Sequence, residues 1–178
     1  MRPAKNILYL LFFLLSCRMF SQTTGNRTVA VTLPIVTLMD IEPAGNITLS
    51  FTAPTEAGRS VVNPSANTTK WINYTSAIAS GGVTRRITAS INQIIPGVDI
   101  KIQAAAAAGS GGGTLGTPSS QITLTTAPTT IISGIGGAFT GTGTNNGHRL
   151  TITLTPNNYA NLFARTNTPV VITYTITE

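Results

Sequence analysis

The chain has 178 residues, with 11 Lys and Arg against 5 Asp and Glu, one histidine and one cysteine. That is enough for a leader and one domain. It holds too few acids, bases and ligating groups for a Ser-His-Asp triad or a three- or four-ligand zinc site, so no catalytic residue, no cofactor and no metal are expected. The basic residues Arg27, Arg59, Lys70, Arg85, Arg86, Lys101, Arg149 and Arg165 are scattered, without the stripe that phosphate binding requires, and no nucleic-acid partner is expected.

In chain order, residues 1–21 come first and have the parts of a signal peptide: Arg2 and Lys5, an apolar run from Ile7 to Leu15, then Met19-Phe20-Ser21 before Gln22. The run is about half of the roughly 20 residues that cross a bilayer. Leu14-Leu15-Ser16-Cys17 also fits a loose lipobox, and a membrane is expected as a partner if Cys17 is acylated. On either route the protein is expected to be exported. Cleavage after Ser21 leaves 157 residues, eight basic and five acidic, with no cysteine and hence no disulfide.

Thr, Val, Ile and Tyr dominate the remainder, with Gly and Pro as punctuation, which favours pleated strands. The first alternating segment is 28–33, followed across Pro34 by 35–41. Further strands are expected at 46–52, 71–78, 83–91, 98–105, 120–126, 129–134, 149–155 and 170–177. The last runs Val170, Ile172, Tyr174, Ile176 on one face. Residues 53–69 read as a long loop, and 104–119 (AAAAAGSGGGTLGTPS) as a mobile low-complexity one. Asn146-Gly147 within 141–148 signals a type I′ hairpin. The pattern predicts an all-β protein, an antiparallel immunoglobulin-like Greek-key sandwich spanning 35–178.

Other motifs have bland readings. Gly111-Gly-Gly-Thr-Leu-Gly116 has the G-x-G-x-x-G spacing, but Pro118 follows at once and no acid lies between Asp99 and Glu178, which favours a loop over a dinucleotide site. His148 reads as a hairpin residue, Asp40 and Glu42 as solvent-facing carboxylates. Trp71 and Tyr74 fall on opposite faces of a strand, so at least one belongs to the core.

The segment TVAVTLPIVTLMDI, close to the expected mature N-terminus, resembles the N-terminal extension of chaperone-usher pilins of the colonisation-factor and spore-coat-U-like types. VVITYTITE resembles their terminal strand, and GAFTGTGTNNGHRLTITLTPNNYANLFA resembles small exported surface proteins of Bacteroidetes-type bacteria. The resemblance implies a sandwich lacking one strand, filled first by a periplasmic chaperone at an outer-membrane usher and then by the extension of another subunit. Carried over, residues 22–34 are the extension, Val29, Val31 and Leu33 the inserting side chains, and Ile172, Tyr174 and Ile176 the lining of the acceptor groove. A fimbria-like homopolymer serving adhesion or biofilm formation is the function this implies. The alternative is a self-complete exported β-sandwich that binds a ligand such as a glycan through loops 53–69 and 104–119.

Overall fold

The computed structural model describes residues 24–178; the expected signal peptide and Cys17 lie outside the described residues. The chain divides into two units, Met1–Leu33 and Pro34–Glu178. In the first, residues 24–33 are exposed throughout and belong to no strand.

The second unit holds nine strands: β1 Val36–Glu42, β2 Trp71–Ala77, β3 Arg85–Ile91, β4 Val98–Ala104, β5 Gly112–Pro118, β6 Ile122–Thr123, β7 Thr129–Phe139, β8 His148–Pro156 and β9 Ile172–Thr177. Every ladder is antiparallel. The order is β6-β4-β8-β2-β7-β3-β9, with β1 added on β2 and β5 on β7. Strand β2 joins the two halves: Trp71 and Ile72 pair with β8, whereas Thr75 and Ser76 pair with β7. The result is an all-β sandwich, as the alternation predicts.

Between the layers, Ile87, Ala89, Ile91, Ile131, Ile132 and Ile135 of β3 and β7 meet Ile100, Ile102, Ala104, Leu150 and Ile152 of β4 and β8. Each buried isoleucine stabilises the domain by about 1.5–3 kcal/mol relative to exposure. Ile131 and Ile132 are both buried although adjacent, because the β3–β7 register shifts between Ile87 and Thr88.

Several expectations need correction. Residues 104–119 are not a mobile loop: β5 lies within them, paired with β7 through Gly112–Phe139, Leu115–Ile135 and Pro118–Ile132. Its glycines are what allow this. A Cβ on Gly113, whose φ is +86°, would lie 2.2 Å from the carbonyl oxygen of Gly137. Residues 46–52 form no strand beyond the Thr52–Val62 bridge, although Ile47 and Leu49 reach the core. The segment 28–33 forms no strand and pairs with nothing among the described residues, strand 120–126 shrinks to β6, and β7 runs on to Phe139.

Asn146-Gly147 does not form a type I′ turn: Asn145 and Gly147 adopt positive φ, at 66° and 75°. The Asn146 side chain instead accepts from the Ser110 amide at 2.9 Å and donates to Thr142 O at 2.7 Å, while its carbonyl accepts from Asn73 Nδ2 at 2.7 Å. His148, read as a hairpin residue, is the first residue of β8 and is fully enclosed. Its ring stacks on Tyr74 with centroids 5.8 Å apart, and Nδ1 lies 2.8 Å from the Ala105 carbonyl oxygen. Tyr74 is the core member of the aromatic pair and Trp71 is half-buried.

Candidate functional site

Strand β9 forms one side of the sandwich. It pairs with β3 in unbroken register from Arg86–Thr177 to Ile91–Ile172, and no ladder occupies its other side among the described residues. Ile172, Tyr174 and Ile176 lie opposite Ile91, Ala89 and Ile87 and face the same core, but stay half-buried where those partners are enclosed. Thr173, Thr175 and Thr177 point outward. The expected acceptor residues therefore share one face of a strand whose outer N–H and C=O groups lack ladder partners, a template for another strand. Burial also pushes the Tyr174 hydroxyl above the ordinary phenol range.

The end of this edge is held by a residue the sequence does not single out. Arg85, 3% exposed, opens β3. Its Nη1 donates to Val36 O at 2.7 Å, to Ser76 Oγ at 2.8 Å and, more weakly, to Ala77 O at 3.4 Å; Nη2 lies 3.6 Å from the Glu178 carboxylate. One guanidinium thus gathers the start of β1, the end of β2 and the residue after β9, a task suited to its planar fork of donors. The ladders explain the convergence. Strand β5 covers one side of β7, so β3 at Thr129–Ile135 and β2 at Ala138–Phe139 share the other, end to end. Strands β9 and β1, outside β3 and β2, consequently meet end to end at Arg85. Spacing in sequence links only Ala77 and Arg85, eight residues apart, and carries no sign that Val36 and Glu178, from opposite ends of the domain, join them.

The expected donor residues Val29, Val31 and Leu33 are 80%, 85% and 81% exposed, and Ile35 is 65% exposed. An alternating apolar row held this far into water is unusual for a structural segment, which would normally bury one face.

The remaining candidates lie away from this edge. The G-x-G-x-x-G residues lie in β5 with no helix after them. Asp40 is exposed and accepts from the Ile41 amide. Among the described residues no three His, Cys, Asp or Glu gather as a metal site needs, and no helix is long and apolar enough to cross a membrane. No protein-family model matches the chain, nor does any curated protein or solved structure.

Proposed function

We propose that this protein is an exported, non-enzymatic structural subunit, immunoglobulin-like in fold, that polymerises by strand exchange into a fimbria-like surface fibre with a role in adhesion or biofilm formation. One observation carries the reading. The domain presents at β9 an edge with no ladder among the described residues, above a half-covered apolar face, while the same chain holds Val29, Val31 and Leu33 in an exposed alternating segment outside any strand.

The two features complement each other physically. Ladder hydrogen bonds along β9 would supply affinity, and the alternating side chains would complete the cover over Ile172, Tyr174 and Ile176. Donor and acceptor lie on different parts of each copy, so the contact is head-to-tail and yields filaments. An edge this open also calls for protection before assembly. A periplasmic chaperone and an outer-membrane usher fit that need.

Deleting residues 22–33 tests the reading: the shortened protein should fold and remain monomeric, as judged by light scattering and electron microscopy, and fibres formed without the segment would refute it. The other reading is a monomeric binding module using loops 53–69 and 104–119, of which residues 112–118 are the paired strand β5.

A further inference from the structure

Resting on that reading, we infer that residues 27–35 of one copy lie antiparallel on β9 of a second copy in a single register, set by Arg27 meeting Glu178. The apolar parity narrows the choices. Inward residues of the incoming segment are odd-numbered (Val29, Val31, Leu33, Ile35), and inward residues of the acceptor are even-numbered (Val170, Ile172, Tyr174, Ile176). A slip by one residue would turn one set outward, so registers differ by steps of two.

Of the antiparallel registers, one opposes Val29 to Ile176, Val31 to Tyr174, Leu33 to Ile172 and Ile35 to Val170. The same register sets Arg27 against Glu178, the one charge within 24–35 against the one charge within 170–178. It also opposes Thr28 to Thr177 and Thr32 to Thr173 on the outer face, and places Pro34, which has no N–H, opposite Val171 at the start of the ladder. A slip of two in one direction puts Arg27 on Ile176; in the other it puts Val29 on Glu178. The carboxylate is accessible, its side chain 63% exposed, and Arg85 holds it from the core side at 3.6 Å, leaving its solvent side for a second guanidinium.

Direction follows from the same charges. A parallel strand with the same inward parity would set Arg27 against Val170 and Ile35 against Glu178. That is the arrangement open to a segment of the same chain, because it enters β1 at Val36, where β9 ends, and would flank β9 running the same way. The charge pair thus favours a second copy over self-closure.

Cysteine cross-linking in fibres of the full-length chain, made in an exporting host, tests this. Directly opposed outward residues come within disulfide reach, whereas partners displaced by two residues do not. Ala30→Cys with Thr175→Cys should give a ladder of covalent oligomers on oxidation; Ala30→Cys with Thr173→Cys or with Thr177→Cys should not, and neither should any single variant, which controls for Cys17. Adding Arg27→Ala should release the register, so that a displaced pair begins to cross-link. A ladder from a displaced pair in the otherwise unaltered chain overturns the register and leaves strand exchange standing. Fibres with no cross-link from any pair overturn β9 as the acceptor. An Arg27→Ala ladder unchanged in pattern overturns the role of the charges, and monomers alone from the unsubstituted chain overturn strand exchange itself.

Discussion

Arg85 is a cation in the core whose nearest carboxylate, on Glu178, is largely in water. Its worth lies in the acceptors it satisfies, the buried Ser76 hydroxyl above all and the half-buried carbonyl oxygens of Val36 and Ala77 beside it. Arg85→Met should therefore lower the unfolding free energy by about 2–3 kcal/mol in urea titrations, since buried acceptors lose their donor. Glu178→Gln should cost less than about 1 kcal/mol because its charge is screened by solvent. Tyr74 and Tyr174 set the alkaline limit. Burial keeps both phenols neutral in the folded domain beyond the ordinary value of 10.0. Above that pH the unfolded chain releases protons that the folded domain retains, so stability is full below pH 10 and falls as pH rises further. Tyr174→Phe should flatten that decline in a series of thermal melts from pH 8 to 11.5. Tyr74→Phe should flatten it as well, but at a cost near 1 kcal/mol, because its hydroxyl donates to Leu115 O beside His148.

At the scale of elements, β5 and the donor segment are opposites. Strand β5 has three glycines and only one large apolar side chain, Leu115, to pack on the core, yet it holds its place because glycine lets its backbone press against β7: Gly113 and Gly116 both have positive φ and abut the carbonyl oxygens of Gly137 and Ser133. Gly113→Val should destabilise the domain by at least about 2 kcal/mol and strip hydrogen-exchange protection from Gly112–Pro118, since strain in φ and a backbone clash add. The proposed donor segment has good strand-forming side chains and no ladder partner among the described residues. Val31→Asp should leave the monomer's melting temperature unchanged and abolish fibres, because an unpaired charge in an apolar groove costs several kcal/mol. A lowered melting temperature would show that Val31 serves its own domain.

For the whole molecule, the sheet order places two of its edge strands, β9 and β1, end to end along one side, both unpaired on their outer edges among the described residues. A protein with such a side is aggregation-prone unless the edge is covered, and one built to polymerise has reason to keep it. Fibre growth should accordingly be seeded by preformed fibres and blocked by a synthetic peptide of residues 24–35, measured by turbidity against a scrambled peptide. A block by the scrambled sequence would point to general hydrophobic association instead.

Alternation of apolar and polar residues determined the strands by itself, because a strand with one face in a core must repeat every two residues. Seven of the anticipated strands (β1, β2, β3, β4, β7, β8 and β9) lie within a few residues of their expected places, and the alternation of Val29, Val31 and Leu33 is plain to read. Tertiary structure decided what depends on which strands become neighbours. It paired the glycine-rich β5, left 46–51 without a ladder, enclosed His148 beneath Tyr74, and brought Val36, Ala77, Arg85 and Glu178 to one point. Local pattern records which face of a segment is apolar; which edge stays open is a property of the assembled sheet, set by long-range pairing that no stretch of sequence contains.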